Sequence, residues 1–458
     1  MKPRSAWIDD SNMILSTDFY QLTMCAAYYQ YNLEHEIKEE NDISVFELFV
    51  RDLPENRNYL IFAGLEQILY FIQNAHFTEK TIEYLRNQRM FRNIDSSFFN
   101  EYLPNFKFEL DVWAMKEGTI FFPNEPVLQV RGPSPQAQLL ETYVISVMNY
   151  QSIVATKASR IRNIAPDKIL LEFGTRRGHS PQAGLYAARA SYIGGFDGTS
   201  NVTADLELGI EASGTMAHSF VEKYGEMESF KIFYKYYKED SILLIDTYDI
   251  SEGAQKATNF GNDITGVRVD SGDLSKEAKR VRRILDRNGC NNQSIVLSSN
   301  LDEYKIKKLL DKNTPVKAFG IGTELITSSD APKLGAVYKL MEHNSKPKIK
   351  ISEGKETYPS SKQVYRFYDN KGKLSEDLLA LKSEEKPKYG DPLLIPMMEK
   401  GKLLYDLPKL NQIREFCLEN LEKLPDNFKN LQKIKEKKLK ISTHLEKLWT
   451  SLVEKHKK

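Results

Sequence analysis

Apolar and polar positions follow two rhythms along this chain, and the change from one to the other divides it. In the first part, ISVFELFV (43–50) and FKFELDVWAM (106–115) alternate with the two-residue period of strands. Residues 16–31, STDFYQLTMCAAYYQY, predict a helix with Ser16 or Thr17 as N-cap and Asp18 favoured by the helix dipole. LIFAGLEQILYFI (60–72) predicts an apolar helix between the two strands. GTIFFPNEPVLQVRG (118–132) predicts a hairpin turning at Pro123-Asn124. Residues 1–132 therefore read as a small mixed sheet and helix domain.

Pro133-Ser134-Pro135 opens a long helix in which Leu139, Tyr143, Val147, Val154, Ala158 and Ile161 recur near the 3.6-residue period. Then the rhythm changes. KILLEFGTRRG, SILLIDTYD, TGVRVDSGDL, QSIVLSSN and KAFGIGTEL are short apolar runs ending in glycine, acid, amide or arginine. Helical segments separate several of them, such as DLSKEAKRVRRILDRNG (273–289), which has a capped start and a glycine stop. Buried strands alternating with helices predict a parallel sheet, and this many in succession favour an α/β barrel over 133–345. In such barrels the chemistry lies at the C-terminal ends of the strands, where each of these polar tails falls. From 346 to 458 the chain is Lys-rich. The strands KQVYRFYD and GDPLLIPMM are expected to return to the N-terminal sheet, and 411–458 to be charged and helical, with its lysines on a solvated helix face.

Composition narrows the function classes. With 41% hydrophobic and 28% charged residues the 458-residue chain is of the ordinary folded kind, long enough for two or three domains. A net charge of +1 offers no global field for nucleic acid or an anionic membrane. Cys25, Cys290 and Cys417 are odd in number and widely spaced, which suggests neither a disulfide framework nor a zinc site. MKPRSAWIDD lacks an apolar h-region, and no run of about 18 apolar residues occurs, so a cytoplasmic protein is expected.

Five constellations could carry chemistry. Glu172 to His179, EFGTRRGH, brings an aromatic ring and two guanidinium groups to a strand end, where arginine can grip phosphate or carboxylate in a fork; a surface salt-bridge cluster is the alternative. GGFDGTSN (194–201) is a small, polar loop able to wrap a substrate, although ordinary turns look the same. GTMAHS (214–219) holds His218, which could serve as base, metal ligand or phosphoryl acceptor, or merely be a satisfied core residue. In RVDSGD (268–273), alternation puts Arg268 and Asp270 on one face, a cation for an anionic substrate beside a carboxylate for hydroxyls or magnesium; a structural ion pair is the alternative. FGIGT (319–323), before a helix expected near Ser328, has the form of a phosphate cup on a late barrel strand.

Taken in order, STDFYQLTM, EFGTRRGHSP, GGFDGTSNV, GTMAHSF, GVRVDSGDL, SSN and GIGTELITSSDAPKLGAVYKL resemble the nicotinate phosphoribosyltransferases over about residues 13–340. The resemblance implies a type II phosphoribosyltransferase fold, an irregular α/β barrel with a second, open-faced sheet domain built from both chain ends. It implies a homodimer with shared active sites, in which Tyr20 of one copy and Phe173 of the other stack on the nicotinate ring. Arg268 would orient that ring, with Thr215 beside it. Arg176, Asp270, Asn300, Gly322 and Thr323 would hold ribose and phosphates. His218 matches the histidine phosphorylated by ATP. The implied small molecules are nicotinate, phosphoribosyl pyrophosphate and ATP, with magnesium carried in by substrates near Asp270 and Asp273.

The nearest rival is a nicotinamide phosphoribosyltransferase, an enzyme that is similar but carries aspartate at the position of Ser200. A carboxylate accepts from an amide and repels nicotinate, whereas a hydroxyl donates to a carboxylate, so Ser200 favours the acid. The other rival is a non-catalytic metabolite-sensing homologue that kept the pocket. A glycosidase is disfavoured because Glu172, Asp246 and Asp270 stand among anion-binding residues, and the chain has only three Trp.

Overall fold

A computed structural model describes residues 12–352, 357–435 and 437–457; the MKPRSAWIDD stretch lies outside them. Two compact units emerge, Met1–Ile153 with Lys333–Lys458, and Val154–Pro332. The first boundary falls inside the helix Glu141–Ile164, not at 132/133, and the second at 332/333, not at 345/346.

In the first unit, a seven-stranded antiparallel sheet runs in the order Lys346–Pro347, Ala336–His343, Ile43–Val50, Leu128–Pro133, Asp111–Ala114, Ile395–Glu399, Lys402–Leu403. Ile43–Val50 is flanked on both edges and buried at nearly every position, so its apolar run does not report an alternating half-buried strand. Glu47 within it is buried but ion-paired, 2.9 Å from Lys362 Nζ. The strand Ile395–Glu399 brings the C-terminal part of the chain into this sheet, beside Asp111–Ala114. Lys362–Tyr368 and Leu374–Leu381 instead build a separate four-stranded sheet with Asp391–Pro392 and Lys440–Ile441.

Several local expectations are corrected in this unit. The first helix runs Phe19–Glu34, and its N-cap is Asp18, which makes no side-chain cap bond; its carboxylate accepts instead from Thr142 Oγ1 at 2.8 Å. LIFAG splits: Leu60–Ile61 is a strand, and the helix Leu65–Asn74 begins only after Gly64, whose φ of +103 suits glycine. Pro123-Asn124 turns no hairpin. Ile120–Phe121 pairs with Leu60–Ile61 and Leu128–Pro133 with two other strands, because both find apolar partners elsewhere. The helix opened by Pro133 comes in two pieces, Ser134–Leu139 and Glu141–Ile164. The lysine run near 433–440 lies between the helices Leu410–Lys423 and Thr443–Lys457 rather than on a helix face. Within that run the Lys437 side chain is only 8% exposed, its Nζ 2.5 Å from Asp377, which also takes a two-pronged bond from buried Arg366 at 2.9 and 2.9 Å. Burial pushes Asp377 up, but Arg366 and Lys437 outweigh it and hold the carboxyl well below the usual range.

The second unit carries six strands paired in parallel, in the order Gly198–Thr199, Ile169–Glu172, Ala318–Ile321, Ser294–Leu297, Gly266–Val269, Ile242–Leu244. The last strand of the chain order, Ala318–Ile321, pairs with the first, Ile169–Glu172, as barrel closure requires. Among the described residues no pairing joins Gly198–Thr199 to Ile242–Leu244, and this gap makes the barrel irregular. Leu170, Leu243, Val267, Val269, Leu297, Phe319 and Ile321 are fully buried, each worth about 1.5–3 kcal/mol of apolar burial. Helix Leu274–Arg287 starts on Asp273, whose carboxylate accepts from the amides of Ser275 and Lys276.

Candidate active site

Parallel strands all point the same way, so the residues just past their C-terminal ends converge. Phe173 follows Ile169–Glu172, Ser200 follows Gly198–Thr199, Asp246 follows Ile242–Leu244, Asp270 follows Gly266–Val269, Ser298 follows Ser294–Leu297, and Gly322 follows Ala318–Ile321. All of these but Asp246 line, with the segment Ser213–Ser219, a cleft of about 780 Å³. That is within the ~300–1,000 Å³ of ordinary small-molecule sites.

Its centre is a fixed cation. Arg268 donates from Nη1 to Thr215 Oγ1 at 2.8 Å and from Nε to Ser298 Oγ at 2.7 Å, and Nη2 lies 3.2 Å from Asp270 Oδ1. Ser298 in turn donates to Asp270 Oδ1 at 2.6 Å. One buried hydroxyl therefore holds both ends of the Arg268–Asp270 pair, which strand alternation had placed on one face.

His218 opens the helix His218–Tyr224, and its side chain is 42% exposed to the cleft. Nδ1 shares a hydrogen bond with Thr247 Oγ1 at 3.1 Å. Nε2 stands 3.9 Å from Asp270 Oδ2 and 4.0 Å from Asp246 Oδ1. Asp246 is buried; its Oδ2 accepts from the Asp270 amide and from Ser271 Oγ at 2.8 and 2.7 Å, while Oδ1 has no hydrogen-bond partner. An orphaned carboxylate oxygen beside a second carboxylate suits a hydrated divalent cation. Among the described residues no group of three or more His, Cys, Asp or Glu side chains forms a cage by itself.

The arginine-bearing rim of the cleft is exposed. Arg176 and Arg177, on the short turn Thr175–Arg177, line the cleft, and neither forms an ion pair with another described residue. Gly174 and Gly320 are there for space: a Cβ on Gly174 would meet Glu172 Oε1 at 2.8 Å, and one on Gly320 would meet the Phe173 ring at 2.5 Å. Glu172 is buried structure, accepting from the Gly174 amide and from Thr199 Oγ1, and burial pushes its carboxyl up against those two bonds.

Phe173, Arg176, Ser200, Thr215, His218, Arg268, Asp270, Asn300, Gly322 and Thr323 all line this cleft. Two singled-out residues do not. Asp273 caps its helix and lines a neighbouring cavity. Tyr20 belongs to the first unit, where its ring is half exposed and its hydroxyl donates to Glu141 Oε2 at 3.1 Å. The helix after FGIGT begins at Thr323 rather than near Ser328, with Gly322 as N-cap. Ser298, Asp246 as a partner of His218, and Thr247 were missed. Their signal was the polar tails of SILLIDTYD and QSIVLSSN, which marked strand ends but did not say which polar residue turns inward.

Known proteins resemble this chain in sequence and in fold. Family models described as the nicotinate phosphoribosyltransferase N-terminal domain, the nicotinate phosphoribosyltransferase family and the nicotinate phosphoribosyltransferase C-terminal domain match residues 15–149, 169–377 and 389–449. A nicotinate phosphoribosyltransferase of Mycobacterium tuberculosis is 38% identical over 426 residues, covering 91% of this chain and 89% of that one. The Bacillus subtilis enzyme of the same name is 36% identical, covering 93% and 92%. Among solved structures, human nicotinic acid phosphoribosyltransferase superposes with a TM-score of 0.84 at 28% identity, covering 95% and 99%.

Proposed function

The chain belongs to the nicotinate phosphoribosyltransferase family, and from that premise we propose that it joins nicotinate to phosphoribosyl pyrophosphate in NAD biosynthesis, with ATP hydrolysis coupled through a phosphohistidine at His218. The products are nicotinate mononucleotide and pyrophosphate. The observation that carries the reading is the constellation itself: a cation fixed by Thr215, Ser298 and Asp270, a histidine facing Asp270, and arginines left without a counter-ion in one cleft.

Arg268 is suited to the nicotinate carboxylate, Phe173 to one face of its ring, and Ser200 to a further hydrogen bond to the acid. Arg176 and the backbone at Gly322 and Thr323 suit phosphate, and Asn300 stands in the same cup. The ribose C1–pyrophosphate bond breaks as the pyridine nitrogen lone pair forms the new C1–N bond, and pyrophosphate leaves with the electrons. Neutralising that leaving group is where positioned cations lower the barrier. Magnesium fits Asp270 and Asp246, and when bound would share the phosphate charge. The pyridine nitrogen carries no proton at neutral pH, so the displacement gives His218 nothing to abstract. A neutral imidazole can accept the γ-phosphoryl of ATP, with ADP leaving and water later taking the phosphoryl. A homodimer in the cytoplasm, with Tyr20 of one copy stacking on nicotinate bound by the other, completes the proposal.

Purified protein is incubated with nicotinate or nicotinamide and phosphoribosyl pyrophosphate, with and without ATP, and products are separated by mass. Nicotinate mononucleotide is expected, with a yield raised by ATP; absence of turnover with either base would leave the metabolite-sensing alternative. With γ-labelled ATP, wild type should give an acid-labile, base-stable phosphoprotein and His218→Ala none, while slow ATP-independent synthesis persists. Label surviving in His218→Ala would move the acceptor elsewhere, with His179 the next candidate.

A further inference from the structure

Beside the cleft, within the same unit, lies a second cavity of about 310 Å³, and the two share Ser299 and Asn300 as a common wall. Ser299 holds a φ of +114, a conformation L residues rarely adopt, as is common where backbone is shaped for a site. The far wall is the helix Glu303–Asp311 and the residue after it, which present Lys305, Lys308 and Lys312. Spacings of three and four put the three ammonium stems on one face.

These charges are only partly answered locally: Asp273, which also lines the cavity, lies close enough to Lys312 to feel its charge. Lys305 is partly engaged, 3.5 Å from Asp302 Oδ2 and donating to the Asn300 carbonyl. Neither Lys308 nor Lys312 forms an ion pair with another described residue. Lys279 Nζ donates to the Lys312 carbonyl at 2.6 Å, bringing a further ammonium close. Asp273 is the carboxylate among the lining residues, and Oδ1 is already occupied by the Ser275 and Lys276 amides, each at 3.1 Å.

We propose that this lysine-lined cavity is an ante-site for oligophosphate, holding a di- or triphosphate group next to the catalytic cleft across Ser299 and Asn300. The inference rests on the reading that the cleft turns over phosphorylated substrates. Lysine suits such a place better than arginine: a compact ammonium on a flexible stem attracts polyphosphate without the fixed fork that Arg176 can offer inside the cleft. The lysines are exposed, so the attraction falls steeply with salt, the screening length being about 10 Å at 0.1 M. The competing explanation is that Lys308 and Lys312 merely complement a helix C-terminus, which predicts a loss of stability and nothing else.

Inorganic tripolyphosphate titrated calorimetrically into the full chain separates the two and needs no turnover, so an inactive protein would still report. Wild type is expected to bind at two sites. Arg176→Ala should weaken one, and the double variant Lys308→Ala with Lys312→Ala should weaken the other by about tenfold or more at low salt. The charge-keeping pair Lys308→Arg with Lys312→Arg should retain it. A single wild-type site, or an unchanged isotherm in the double alanine variant, overturns the proposal. The ligand's source follows from kinetics of the same variant: a higher KM for ATP at unchanged kcat assigns the ATP triphosphate, and weaker product inhibition by pyrophosphate assigns the leaving group. If neither parameter moves while the binding site is lost, the ante-site role is refuted.

Discussion

Ser298 shows how one hydroxyl can fix an arginine and a carboxylate together. It is 3% exposed, accepts from Arg268 Nε and donates to Asp270, so its proton is committed and its lone pair faces the guanidinium. Ser298→Ala removes both bonds at once. A hydrogen bond to a charged group is worth about 1.5–3 kcal/mol, which corresponds to roughly 10- to 100-fold in kcat/KM for nicotinate. Ser298→Thr should recover much of that, whereas a purely structural role would lower the melting temperature and leave kcat/KM of the remaining folded enzyme intact. Ser200 is the other residue whose chemistry, more than its position, matters. It lines the cleft and is exposed there. Ser200→Asp exchanges a donor for an anion, so the ratio of kcat/KM for nicotinate over nicotinamide should fall by tenfold or so; an unchanged ratio removes Ser200 from base recognition.

At the scale of elements, the site exists because six parallel strands end together, and small residues let the chain pack closely there. Gly320 sits in the strand Ala318–Ile321, and a methyl group on it would lie 2.5 Å from the ring of Phe173. Gly320→Ala therefore either displaces that ring or strains the strand, at a cost of about 1–3 kcal/mol. The nicotinate KM should rise, and adding Phe173→Ala should restore the melting temperature without restoring the KM. Equal recovery of both would show that the ring does not contact the base. Most strands of the barrel were legible because buried parallel strands are short apolar runs bounded by turn residues. The two-residue strand Gly198–Thr199 was not, since its sequence is that of a loop and its neighbour Ile169–Glu172 makes it a strand. The hairpin at Pro123-Asn124 failed for the same reason, its arms being claimed by strands distant in sequence.

At the scale of the whole molecule, the proposed shared site makes subunits interdependent. Tyr20→Ala and Arg268→Ala homodimers should each be nearly inactive, yet a mixed dimer isolated by two tags should hold one intact site and one doubly damaged site. Activity no higher than the parents' would rule out sharing. The motifs and their order fixed the family by themselves, because Arg176, His218, Arg268 and Asp270 are recognised by their sequence neighbours. Periodicity alone also predicted a parallel barrel, since burial on both faces is written into each strand locally. What only tertiary structure decided is who meets whom. Arg268 reaches Ser298 across 30 residues and Thr215 across 53, and His218 meets Asp246 and Asp270 from two different strand ends. Those contacts depend on strand register and on which side of a strand end a side chain leaves, quantities set by long-range packing and invisible to any window a few residues wide.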